Sequence, residues 1–79
     1  MDAEIRVRRR LLELADAFGG TIPLTQEEIA QTAGTSRATV NRVLREEEAA
    51  GGVELGRGRT TIRDPVALGA RARAATSVD

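Results

Sequence analysis

Residues 25–44 read TQEEIAQTAGTSRATVNRVL, and the spacing inside this stretch decides the fold. With Gln26 counted as the first position of a twenty-residue unit, Ile29 and Ala30 fall fourth and fifth, Gly34 ninth, Val40 fifteenth and Val43 eighteenth. Each position has a steric reason. Ala30 must be small where a second helix crosses, Gly34 allows a backbone turn at positive φ, and Val40 and Val43 face inward. Thr25 with Glu28 three residues on makes a capping box that opens the first helix, which ends at Ala33-Gly34. Ser36 caps the second, which runs to about Ala50 and stops at Gly51-Gly52. Two short helices joined by a glycine turn form a helix-turn-helix.

Toward the N-terminus, Ala3 to Phe18 carries a helical pattern. Val7, Leu11, Leu14, Ala15 and Phe18 share one stripe, flanked by Ile5 and Leu12, and Gly19-Gly20 ends it. Ile5 and Leu12 widen the stripe beyond what one small core requires, which marks them as contacts for a partner subunit or a preceding domain. Arg6, Arg9, Arg10, Glu13 and Asp16 lie on the other side. Their alternating signs read as a solvated face, although the RVRRR run invites a nucleic-acid reading. Thr21 to Leu24 reads as a brief strand.

Toward the C-terminus the period changes. Val53-Glu54-Leu55 alternates, Gly56-Arg57-Gly58-Arg59 is turn chemistry and Thr60-Thr61-Ile62 is β-branched, so 53–63 is a hairpin, a wing beside the helix-turn-helix. Asp64-Pro65 is an N-cap with proline at the first helical position, opening a short helix from Val66 to about Arg73. The tail 74–79 reads as frayed.

Seventy-nine residues bound the chain to one domain, 1–79, with a thin core. There is no Cys and no His, which excludes disulfides, thiolate nucleophiles, the usual zinc sites and imidazole chemistry; an enzyme is not expected, nor any cofactor or metal. No apolar run approaches the ~18 residues of a membrane span and no signal peptide is evident, so a cytoplasmic location is expected. The net charge is zero, twelve Arg against twelve acids, but the charge is unevenly placed. Arg37, Arg42 and Arg45 share one acid-free span and Arg57, Arg59 and Arg63 another, leaving six Arg against twelve acids, or −6, elsewhere. Such a split field orients a protein on a polyanion. Every basic residue is Arg, which suits bidentate phosphate and guanine contacts, although a GC-rich coding bias gives the same composition.

At about 100° per residue from Arg37, the side chains of Asn41, Arg45, Ala38 and Arg42 follow at about 40°, 80°, 100° and 140°, one continuous face. Val43, Val40 and Leu44 occupy the opposite arc. The first arc is the one a major groove would receive: Arg forks donate to guanine O6 and N7, Asn pairs with adenine, and the Ser36 and Thr39 hydroxyls sit where phosphates pass. Arg37, Ala38, Asn41 and Arg42 are therefore the candidate base readers. Thr25, Gln26, Thr35, Ser36, Thr39, Arg45, Arg57 and Arg59 are the candidate phosphate contacts, the last two from the wing. The bland alternatives are a solvated helix face and an ordinary exposed turn. Glu47 interrupts the apolar arc at about 280°. It is expected at the edge of the core with its carboxylate escaping to solvent or to an Arg, so that Glu47→Leu would stabilise by about 1 kcal/mol.

At these residues the sequence resembles the C-terminal DNA-binding domain of the Crp/Fnr superfamily of bacterial transcription regulators. The matching segments are LTQEEIAQTAGTSRATVNRVLRE and VELGRGRTTIRDPVAL, with RRLLELADAFG similar to the helix ahead of the motif. The resemblance implies that Arg37 and Arg42 read guanines and that Ser36 and Thr39 face phosphates. Many relatives carry Glu where this chain has Ala38, and apolar residues where it has Thr32, Glu47, Gly52 and Thr60. Family members begin with a β-barrel sensor domain and a long dimerisation helix, which 79 residues do not contain.

The expected fold is mainly α with a small antiparallel β-wing: a winged helix-turn-helix ordered helix, strand, helix, helix, strand, strand, short helix, with the helix-turn-helix at 25–50. The expected function is sequence-specific binding of double-stranded DNA by a transcription regulator. The recognition helix 36–50 would lie in the major groove and the wing on the backbone, two copies would pair on an inverted repeat, and a sensor domain would lie outside this sequence. One rival is a winged helix used for protein contact, with Glu46-Glu47-Glu48 as its working surface. Another is an RNA-binding winged helix.

Overall fold

The computed structural model of the chain describes residues 2–74. Four helices and a three-stranded sheet follow in the order α1 (Ala3–Phe18), β1 (Thr21–Ile22), α2 (Gln26–Ala33), α3 (Arg37–Ala49), β2 (Val53–Gly56), β3 (Arg59–Ile62) and α4 (Pro65–Ala74). The tail expected to fray lies outside the described residues, except for Ala74, with which α4 ends.

The helix ends are fixed by local chemistry. Asp2 caps α1 through a bond from the Glu4 N–H, and Gly19 closes that helix at φ 80°. Thr25 and Glu28 form the reciprocal capping box on α2, satisfying two amides left over at the first turn. Gly34 at φ 69° then turns the chain, with its N–H bonded to Ala30 and Gln31 carbonyls, and the Ser36 hydroxyl accepts from the Thr39 N–H to start α3. Asp64 accepts from the Ala67 N–H at 3.1 Å, so α4 begins at Pro65, where the missing N–H costs nothing.

The sheet order is β1-β3-β2, both pairings antiparallel. β1 holds only Thr21 and Ile22, opposite Thr61 and Thr60, shorter than the expected strand to Leu24. Pro23 explains the difference, because it has no N–H to donate to a ladder. The hairpin β2–β3 turns at Arg57-Gly58, with Gly58 at φ 65°.

The core is built where α1, α2, α3 and the sheet meet: Val7, Leu11, Ile22, Ile29, Val40, Val43 and Leu44 are fully buried, each contributing about 1.5–3 kcal/mol. α4 adds Leu68 to this cluster and buries Ala72. It packs along α1, with Leu12 beside Gly69. This contact accounts for part of the wide α1 stripe. Ile5 is buried and Leu12 half-buried by the chain's own elements. Phe18, expected in the core, is 48% exposed. Burial along α1 fades after Leu11, and a strand of two residues is too short to cover the last helical turn.

Candidate nucleic-acid interface

The second helix of the motif presents its polar face away from the core. Val40, Val43 and Leu44 are buried, whereas Arg37, Ala38, Arg42 and Arg45 are exposed. Ser36 and Thr39 stand together at the N-terminus of α3, their hydroxyls 3.0 Å apart. Thr35 is half-buried in the turn, where its N–H bonds to the Ala30 carbonyl at 3.0 Å.

Beside them opens a cleft of about 450 Å³, lined by Leu24, Thr25, Gln26, Glu27, Arg37, Leu55, Gly56, Gly58, Arg59 and Thr60. It lies between the first turn of α2, the start of α3 and the wing. Arg37 and Arg59 stand on its walls, and neither they nor Arg57 have a carboxylate partner among the described residues. The start of α2 adds the positive end of a helix, tempered by Glu27 on the same wall. Unpaired guanidinium groups around a concave surface at a helix N-terminus are suited to the oxygens of a phosphate backbone. Leu24 and Leu55 add apolar surface to the lining; no charge or motif signal in the sequence singles them out.

The remaining candidates are partly engaged within the chain. Asn41, read as a base contact, is half-buried and donates from Nδ2 to Gln26 Oε1 at 3.1 Å. That bond ties α3 to α2 and uses two residues assigned to DNA on each other. Arg45 lies 3.6 Å from Glu48 in an exposed pair. Arg42 donates from Nε to Glu4 Oε2 at 2.9 Å, and its Nη2 is ion-paired with the same oxygen at 2.9 Å. Arg63 pairs with Glu54 across the wing at 3.2 Å.

Glu47 corrects the expectation that it sits at the edge of the core. It is fully buried, and its carboxylate accepts from Arg8 Nε at 2.7 Å, from Arg71 Nε at 2.8 Å and from Arg71 Nη2. The escape to an Arg does occur, but inward and to two of them. Burial pushes the carboxyl up, and the hydrogen bonds and charges of Arg71 and Arg8 outweigh it, holding Glu47 below the ordinary carboxylate value. Arg71 is raised chiefly by its hydrogen bond to Glu47. Gly52 makes room for this cluster, because a Cβ there would lie 2.5 Å from Glu47 Oε1 and 2.8 Å from Arg71 Nη2. The departures at Glu47 and Gly52 are thus one feature: a small residue and a buried ion-pair cluster that clamps α1 and α4 to the recognition helix. With Glu46 bound to Arg8 at 2.9 Å and Glu48 near Arg45, the acidic run 46–48 is occupied inside the chain, which weakens the protein-contact reading.

The comparisons with known proteins bear on the family and the fold. A family model described as the Crp-like helix-turn-helix domain matches residues 5–71. The chain is 41% identical over 80 residues to a CRP-like cAMP-activated global transcriptional regulator of Mycobacterium tuberculosis, covering 91% of this chain and 36% of that protein. Among solved structures it is similar to the catabolite activator protein of Thermus thermophilus, with TM-score 0.82 and 37% identity over 91% of this chain and 34% of the other. It is also similar to a putative transcriptional regulator of the Crp/Fnr family from Eubacterium rectale, with TM-score 0.80 and 35% identity over 89% and 33%. The chain therefore spans about a third of the length of the relatives it matches. By the match over residues 5–71, which takes in the helix-turn-helix, the wing and most of α4, the chain belongs to the Crp-like helix-turn-helix domain family of transcription regulators.

Proposed function

We propose that this chain is the sequence-reading part of a transcription regulator, with α3 lying in the major groove of duplex DNA and the wing resting on the flanking backbone. The observation that carries the reading is the cleft walled by the unpaired Arg37 and Arg59 beside the exposed polar face of α3. Arg37 and Arg42 read guanine, and Ala38 between them meets a base edge with a methyl group alone. Ser36, Thr39, Thr25 and Thr35 line the phosphate path near the two helix starts, with Arg45, Arg57 and Arg59 contributing charge. Gln26 and Asn41 act first on each other, at 3.1 Å, and reach DNA together with that bond kept or exchanged.

One recognition helix reads few base pairs, so two copies bind an inverted repeat with half-site centres about 10 bp apart. The signal is sensed outside residues 1–79, and regulation takes place in the cytoplasm. No helix among the described residues is long and apolar enough to cross a membrane. Binding of a mixed-sequence duplex measured against salt tests the electrostatic part. Six or more phosphate contacts in the paired complex would lower affinity by about 10³-fold between 50 and 200 mM salt. A flat salt profile, or tighter binding to single-stranded RNA than to duplex DNA, would reject the reading.

A further inference from the structure

Arg42 meets a carboxylate from a distant part of the chain. Its Nε donates to Glu4 Oε2 at 2.9 Å and its Nη2 lies 2.9 Å from the same oxygen in an ion pair, and Glu4 lies in the first turn of α1, 38 positions away. The other Glu4 oxygen is 3.9 Å from Arg8 Nη1, and Arg8 donates onward to Glu46 and Glu47. Glu4 and Arg8, four apart on α1, therefore meet Arg42 and Glu46, four apart on α3, with alternating charge along both helices. The Arg8 end of this ladder is anchored: Arg8 is 11% exposed and Glu47 buried. The Arg42 end faces solvent, with 55% of its side chain exposed.

The geometry of the Arg42 contact matters for what it leaves over. A guanidinium has five N–H donors in a fixed plane. Glu4 takes the Nε hydrogen and lies against the Nη2 side of the fork. The Nη1 and Nη2 hydrogens at the tip remain, and this outward pair can donate to guanine O6 and N7. An arginine held along its side and open at its tip is oriented before DNA arrives, so less rotamer freedom is lost on binding.

We infer that Glu4 is a positioning residue for base reading, holding the Arg42 fork so that it points its tip at a guanine. This rests on the assignment of Arg42 to a base in the proposed function. Glu4 also brings a negative charge close to a polyanion. It therefore weakens binding to every sequence somewhat while sharpening the choice at one base pair, and these opposite effects make the role testable.

The experiment uses the base pair whose preference is lost in Arg42→Ala. Affinities for a duplex carrying that pair and for one with it changed are measured for the wild type, Glu4→Ala, Glu4→Asp, Arg42→Ala and Glu4→Ala with Arg42→Ala. Glu4→Asp keeps the charge and loses the reach, and it also covers the case in which the alanine variant folds poorly. The discrimination ratio should fall about two- to tenfold in both single Glu4 variants, the range expected for losing one pre-ordered side chain. In the Arg42→Ala background Glu4→Ala should leave the ratio unchanged. An unchanged ratio in the single variants overturns the inference and leaves DNA reading intact, and a raised ratio overturns it in favour of Glu4 competing with the base. Failure of the wild type to discriminate at any base pair removes the DNA reading itself, and the inference with it.

Discussion

Replacing Glu47 by Leu separates two accounts of the recognition helix. From the sequence, the change fills a gap in an apolar arc and should stabilise. In the structure it removes the shared acceptor of Arg8 and Arg71, whose side chains are 11% and 36% exposed. Deleting one partner of a buried ion pair costs about 3–5 kcal/mol. Arg71 is exposed enough to regain water, which places the loss at the low end of that range. Leucine returns part of it through apolar burial, at most about 1.5–3 kcal/mol. The expected net effect is a destabilisation of about 1–2 kcal/mol, and at about 4–8 °C per kcal/mol for a domain of this size the midpoint should fall by roughly 5–15 °C. Thermal melts followed by circular dichroism, at one protein concentration and pH 7, measure it. A midpoint equal to or above the wild type would refute the clamp. Glu47→Gln adds a pH signature. The folded carboxyl is held below its unfolded value, so its stabilisation is present above that unfolded value and is lost as pH falls through the folded one. The wild-type advantage over Glu47→Gln should be complete above about pH 5 and shrink below about pH 4.

Gly52→Ala should cost about 1–3 kcal/mol in chemical denaturation, because the new Cβ meets the mutually bound Glu47 and Arg71 atoms at 2.5 and 2.8 Å. Gly34→Ala should cost about 1–2 kcal/mol for a different reason, since nothing lies within 4 Å of its Cβ but φ is +69°. In selections from a duplex library, Ala38→Glu should narrow the base pair between the two arginine steps to one presenting cytosine, by ~1–3 kcal/mol, whereas Arg42→Ala should relax its own guanine. An unchanged profile at the middle step in Ala38→Glu would contradict the placement of α3. Arg59→Ala should weaken all duplexes alike and lower the slope of log affinity against log salt by about 1 per protomer.

The parts of the fold that the sequence made legible are those fixed within a few residues. The capping box at Thr25 and Glu28, the left-handed turn at Gly34, the cap at Ser36 and the Asp64-Pro65 helix start all depend on neighbours three or four positions away, and each stands where its spacing predicts. The parts that were hidden depend on how helices pack. Nothing near Glu47 in sequence announces Arg8 or Arg71, and nothing near Arg42 announces Glu4; these pairs are 39, 24 and 38 positions apart. The same holds for α4. Its apolar residues are spread around the helix, so no stripe marked Leu68 and Ala72 as buried, and without them the wide α1 stripe appeared to need an outside partner. Phe18 failed in the opposite sense: it lies on the right stripe, but at a helix end that a two-residue strand does not cover. In the candidate site, the exposed face of Arg37, Ala38 and Arg42 was legible from periodicity. The Asn41–Gln26 bond was not, because it requires the two helices of the motif to be placed first.

Selection of bound sites from a random duplex library by the wild-type protein reads binding, symmetry and sequence at once. The enriched sites should be inverted repeats with half-site centres about 10 bp apart, guanines at two steps of each half-site and little preference at the step between them. Enrichment of sites without dyad symmetry, or no enrichment over the starting library, would contradict paired, sequence-specific binding.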